Sequence, residues 1–122
     1  MVLVVDDSGL IRLVVSDELH KKGYDAITAS DGLKALRVAS SKNPDLILLD
    51  VMLPGMDGFE TCRRLKQDAV TKSIPVVFMT SKDKKEDTAK GMQVGAAAYL
   101  IKPFEGDELY RTVSKIIGKA YT

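Results

Sequence analysis

Five short apolar runs, separated by segments of helical period, constrain this chain more than any other feature. Val2–Val5, Ala26–Thr28, Leu46–Leu49, Pro75–Met79 and Ala98–Ile101 recur roughly every two dozen residues. The first, third and fourth are rich in Val, Ile and Leu and do not alternate with polar residues. That pattern is expected of parallel strands covered on both faces. Between the runs, apolar side chains return with the period of a helix. Leu10, Leu13, Val14 and Leu19 do so in Gly9–Lys21, with Gly23 just beyond as a stop signal, and Leu33, Leu36 and Ala39 do so in Asp31–Ser41. Phe59, Cys62, Leu65 and Val70 mark a third segment, Ala89 and Met92 a polar fourth, and Leu109, Val113, Ile116 and Ile117 the last. Strand and helix thus alternate five times, which calls for an α/β fold: right-handed crossovers onto a parallel sheet with helices on both faces.

The chain has 122 residues, the size of one domain. Its single cysteine, Cys62, can form no internal disulfide, and a reducing, cytoplasmic setting is expected. No apolar run approaches the roughly 20 residues of a membrane span, and no basic stretch precedes Val2 as a signal peptide would require. The net charge of +1 offers no overall footprint for nucleic acid. Lys82, Lys84, Lys85 and Lys90 interleave with Asp83, Glu86 and Asp87, as on a solvated helix.

In an open parallel sheet, ligand sites form where the loops leave the carboxyl ends of the strands. Asp6 and Asp7 follow the first run, Asp50 the third, Thr80 and Ser81 the fourth, and Lys102 and Pro103 the fifth. Taken singly, Asp7, Ser8 and Thr80 read as helix caps and Asp50 as a turn residue. Taken together, three acids at one edge repel one another unless a cation offsets them. Oxygen ligands with no second His or Cys suit Mg²⁺. A metal beside a lysine and a small hydroxyl suits a phosphoryl group, with a carboxylate as its acceptor. Asp6 and Asp7 share a strand end and can both face the metal, which leaves Asp50 to become the aspartyl phosphate.

Four segments then resemble a known pattern: Val-Val-Asp-Asp-Ser at 4–8, Leu-Leu-Asp-Val-Met-Leu-Pro-Gly-Met-Asp-Gly at 48–58, Met-Thr-Ser at 79–81 and Tyr-Leu-Ile-Lys-Pro-Phe at 99–104. Across essentially its whole length the chain resembles the receiver domain of two-component response regulators, similar to the single-domain chemotaxis type. The resemblance implies a flavodoxin-like, doubly wound five-stranded sheet in the order 2-1-3-4-5 and one receiver domain over 1–122 with no effector domain. It makes Asp50 the phosphoacceptor. Mg²⁺ would be held by Asp7 directly, by Asp6 mostly through water, by Asp50 and by the backbone carbonyl of Met52. Thr80 and Lys102 would bind the phosphoryl group, and Lys102-Pro103 would be a cis peptide. Thr80 and Tyr99 would form the switch that changes the face of the fourth helix, fifth strand and fifth helix. Met52 and Lys82 match the positions that tune dephosphorylation. Where many DNA-binding members carry two acids of a dimer contact, this chain has Ala97 and Ala98.

The implied partners are a histidine kinase or histidine phosphotransfer protein, together with a downstream protein or an effector domain lying elsewhere. Neither nucleic acid nor membrane is expected to be bound directly. Beyond its own phosphoryl transfer and dephosphorylation, no enzymatic activity is expected. Two other classes share parts of the pattern: a receiver-like interaction module that does not use phosphate, and a Mg²⁺-dependent phosphatase with an aspartyl-phosphate intermediate. The second lacks an acid two residues after Asp50, where Met52 stands. Cys62 reads as core and His20 as a residue near a helix end.

Overall fold

A strand buried on both faces needs two cores, and this chain builds them from alternate residues of the same runs. The structure, a computed structural model, describes residues 1–81 and 85–118, with 85–88 by their backbone only. The elements follow as β1 (Val2–Val5), α1 (Gly9–Lys21), β2 (Ala26–Ala29), α2 (Gly32–Lys42), β3 (Leu46–Asp50), α3 (Gly58–Gln67), β4 (Val76–Thr80), α4 (Lys85–Gln93), β5 (Ala98–Ile101) and α5 (Gly106–Ile117). All strand pairs are parallel, in the order β2-β1-β3-β4-β5. This is the flavodoxin-like order that the resemblance implies.

Leu3, Val5, Ile47, Leu49 and Phe78 pack with Ala35 and Ala39 of α2 and with Phe59, Cys62 and Leu65 of α3. Their strand neighbours Val2, Val4, Leu46, Leu48 and Met79 pack on the opposite face with Val15 and Leu19 of α1 and Leu109 and Val113 of α5. The missing alternation in the sequence is therefore the signature of two cores. The starts of α1, α2 and α3 are fixed by side-chain caps. Ser8 Oγ accepts from the Ile11 N–H, and Asp31 and Asp57 accept from the N–H groups of Lys34 and Glu60, each at 2.8 Å. Ser8 is thus a cap, whereas Thr80 ends β4 and begins no helix.

The strands depart little from the sequence reading, the helices more. β2 extends one residue further, to Ala29, and Pro75 precedes β4. On α1, Leu10, Leu13 and Val14 face solvent, while Ile11, Val15 and Leu19, four residues apart, form the inward stripe. Leu33 and Met92 are also exposed, and Val70 lies beyond the end of α3 with its side chain in solvent. An apolar residue at helical spacing marks a face, but that face need not be the buried one. Among the described residues, no helix is long and apolar enough to cross a membrane.

Cys62 is fully buried in α3, its thiol donating to the Val94 carbonyl at 3.4 Å, and burial pushes its pKa up to about 11. A thiol must ionise to react. The native protein at pH 7.5 is therefore expected to resist a disulfide-exchange reagent, and to react fully within the mixing time once unfolded in guanidinium. Equal rates in both states would contradict the packing.

Candidate functional site

The register of the sheet assembles the site. Val5 stands beside Leu49 in the β1–β3 pair, so the residues that follow them, Asp6 and Asp50, come abreast. Asp50 in turn stands beside Met79, and Thr80 beside Ile101, so that Lys102 emerges next to the ends of β3 and β4. Backbone bonds hold these ends: the Val51 N–H donates to the Met79 carbonyl at 3.1 Å and the Lys102 N–H to the Thr80 carbonyl at 2.6 Å.

Carboxylate oxygens of Asp6, Asp7 and Asp50 all lie within 4.8 Å of one another. Asp6 and Asp50 are 1% and 6% exposed, whereas Asp7 opens to solvent. The Lys102 ammonium lies between the two buried acids, 2.7 Å from Asp6 Oδ2 and 3.4 Å from Asp50 Oδ2. Burial, and after it the charge of Asp6, raises the Asp50 pKa above the ordinary carboxylate value; Lys102 and the Met52 N–H, which donates to Asp50 Oδ1 at 3.3 Å, oppose this. Burial alone would lower the Lys102 pKa, but its hydrogen bond to Asp6 and the charges of Asp50 and Asp6 outweigh it and raise the value. Lys102 thus pairs with two of the three acids of the cluster, an arrangement with room for a further positive charge. The donors are all hard oxygens and Asp7 leaves the cluster open to water, which fits a magnesium-type ion that keeps several waters.

Thr80 is buried at the end of β4 on the same edge. The Lys102–Pro103 peptide bond is cis. The Met52 side chain is 75% exposed beside the cluster. Tyr99 stands apart from the acids. It is half-buried on β5 against Phe78, with ring centroids 5.6 Å apart. Lys82 lies outside the described residues, as do Asp83 and Lys84 of the same charged stretch.

Two contributors escaped the sequence reading. Arg12 Nη1 donates to the Asp6 backbone carbonyl at 2.7 Å and so braces the turn that carries the acid pair. An arginine in the first turn of a helix sits at the unfavourable end of the dipole, which was the available signal. Gly58 donates its N–H to the Val51 carbonyl at 3.0 Å and lies so close to β3 that a methyl group there would overlap the Asp50 carbonyl oxygen and approach Val51 Cα to 2.9 Å. A side chain at 58 would push on the strand end bearing Asp50.

A family model described as the response regulator receiver domain matches residues 2–114. The chain belongs to that family. It is 44% identical over 108 residues to protein PilG of Pseudomonas aeruginosa, covering 88% of this chain and 80% of PilG. It is 42% identical over 119 residues to the alkaline phosphatase synthesis transcriptional regulatory protein PhoP of Bacillus subtilis. That match takes in 98% of this chain and 49% of PhoP, so the chain spans about half the length of that regulator. Among solved structures, the Vibrio cholerae chemotaxis protein CheY4 superposes with a TM-score of 0.90 at 37% identity, covering 94% of this chain and 96% of CheY4. The receiver domain of a P. aeruginosa sensor histidine kinase, with a magnesium ion coordinated in its active site cleft, gives a TM-score of 0.89 at 30% identity, with 97% of each chain covered. Receiver domains are signalling modules that interact with histidine kinases and downstream effectors.

A carboxyl held above its ordinary pKa costs stability when ionised, so the cost is fully present at neutral pH, fades as the pH falls through the raised value and is gone below the ordinary carboxylate value. Asp50→Asn is therefore expected to raise the melting temperature of the metal-free protein at pH 7. A gain of about 1 kcal/mol corresponds to ~3–5 °C in a domain of this size. The gain should shrink towards pH 4, as followed by thermal circular dichroism in chelator. A loss of stability at pH 7 would contradict the electrostatic account.

Proposed function

We propose that this chain is a phosphorylation-dependent switch that accepts a phosphoryl group on Asp50 from a phosphohistidine donor. The observation that carries the reading is the juxtaposition of Asp50 with Asp6, Asp7 and Lys102, three clustered acids of which Lys102 joins Asp6 and Asp50, at the carboxyl edge of the sheet. In this reading Asp6, Asp7, Asp50 and the Met52 carbonyl hold Mg²⁺. When bound, the ion supplies positive charge against the phosphoryl oxygens. A carboxylate oxygen of Asp50 attacks phosphorus, the bond from phosphorus to the donor imidazole nitrogen breaks, and that nitrogen keeps the electron pair. Lys102 and Thr80 contact the phosphoryl oxygens, Lys102 by its charge and Thr80 through its hydroxyl. The acyl phosphate so formed is read out through Thr80 and Tyr99 on the face of α4, β5 and α5.

Two surface features support the partner assignment. Leu10, Leu13 and Val14 are exposed on α1 beside the acid pair. A largely apolar groove of about 470 Å³, lined by Ile11, Val14, Val15, Lys102, Pro103 and Phe104, adjoins them. An apolar helix face of the phosphodonor fits there and brings its histidine to the cluster. The domain works as one receiver unit, and its output passes to a partner protein or to another part of a longer regulator. Cytoplasmic placement belongs to the same reading.

Incubation with Mg²⁺ and acetyl phosphate is expected to add one phosphoryl group by intact mass, and none in chelator or in Asp50→Asn. A phosphoryl group retained by Asp50→Asn would remove Asp50 from the role. Turnover of small phosphoesters without a stable adduct would favour the phosphatase reading instead. The apolar Met52 side chain next to the cluster does not orient an attacking water, so self-dephosphorylation is expected to be slow. Met52→Asn should shorten the lifetime of the adduct several-fold in a mass-spectrometric decay series, and an unchanged lifetime would contradict this role of Met52.

A further inference from the structure

The aromatic residues of the sheet form a row that α4 closes at both ends. The ring of Phe59 on α3 lies 5.1 Å from Phe78 on β4, and Phe78 lies 5.6 Å from Tyr99 on β5. On α4, Lys90 places its ammonium 5.2 Å from the Phe59 ring, a cation–π contact. The next residue, Gly91, backs onto the other end of the row. A methyl group on Gly91 would overlap the Tyr99 hydroxyl oxygen and come within 2.5 Å of the ring carbon that bears it.

Gly91 does not owe its identity to its backbone. The positive-φ glycine that ends α4 is Gly95, at φ 97°, whereas Gly91 lies within the helix without a positive φ. In that conformation alanine is favoured over glycine. What remains is space: the missing side chain is the room that the tyrosine hydroxyl occupies. The Gly91 carbonyl also accepts the Ala96 N–H at 2.9 Å, and the Ala97 N–H donates to Val76 at 2.8 Å, so the seat is tied to the turn that leads into β5.

We propose that Gly91 is the seat of a tyrosine latch, a notch in α4 that receives the Tyr99 hydroxyl, so that packed Tyr99 and this placement of α4 are gained and lost together. Phe78 and Thr80 lie two residues apart on β4 and so point to the same face of the sheet. The middle of the row therefore shares its sheet face with Thr80, the threonine of the proposed phosphoryl site, and the latch deepens the proposed switch as its regulated element. The signalling consequence rests on the Asp50 reading, whereas the latch itself is tested without phosphate.

Thermal unfolding of four proteins decides it: wild type, Gly91→Ala, Tyr99→Ala and the double variant. Gly91→Ala is expected to lower the melting temperature when Tyr99 is present and to raise it in the Tyr99→Ala background. The same sign in both backgrounds would overturn the latch. Should Gly91→Ala not fold, recovery of folding in the double variant supports the proposal, and failure of the double variant where Tyr99→Ala folds overturns it. A second readout follows the ring itself. Nitration by tetranitromethane, mapped by peptide mass, should increase several-fold at Tyr99 in Gly91→Ala and stay unchanged at the buried Tyr24. Unchanged nitration of Tyr99 in a folded Gly91→Ala protein would also overturn it.

Discussion

The repulsion between Asp6 and Asp50, two buried carboxylates brought abreast by the β1–β3 register, is the constraint around which the rest of this domain is arranged. Two strands could pair in the same register with any residues at their ends. Placing acids there is unfavourable, and several contacts limit the cost. Lys102 reaches both acids from the end of β5, the Met52 N–H donates to Asp50, the Ser8 N–H donates to the Asp6 carboxylate, and the Arg12 guanidinium holds the carbonyl of Asp6. Burial first, and the charge of Asp6 after it, outweigh these contacts and keep the Asp50 pKa raised. A scaffold with no ligand would be more stable with neutral residues at these positions. The cluster is most simply understood as a site that reaches its best electrostatic state only with a cation present.

The two-sided core makes such a cluster possible. Because alternate residues of β1, β3 and β4 bury into opposite cores, the central strands are clamped from both sides and their ends hold position against the repulsion. Gly58 tightens this further by letting the start of α3 rest directly on the end of β3. The same packing connects the site to α4. From Thr80, the β4 face leads through Phe78 to Tyr99 and to α4, so the acid-bearing edge and α4 are joined by one aromatic row.

The strands and the clustering of the polar side chains at their ends were legible in the sequence because both obey local rules. Unbroken Val-Ile-Leu runs signal strands buried on both faces, and polar residues directly after them fall at the one edge where loops converge. Asp6, Asp7, Asp50 and Lys102 meet for that reason. The helix faces were less legible. On α1, Leu10, Leu13 and Val14 fit a helical period as well as Ile11, Val15 and Leu19 do, and only the tertiary packing decides which set is buried. Gly58, Gly91 and Arg12 were missed for a related reason: their importance lies in close approach to residues on other elements, and a period along one helix does not reveal that. A glycine within a helical pattern and an arginine at a helix start were the only local hints.

The most direct test of this electrostatic account is thermal unfolding of the wild-type protein at neutral pH as a function of Mg²⁺ concentration. If the acidic cluster binds the ion in the folded state, the melting temperature rises with the logarithm of Mg²⁺ once the site begins to fill. The stabilisation would approach about 2.7 kcal/mol at a hundredfold excess over the dissociation constant, and the rise would disappear in Asp7→Asn. A melting temperature that stays constant from chelator to tens of millimolar Mg²⁺, or that rises equally in Asp7→Asn, would contradict it.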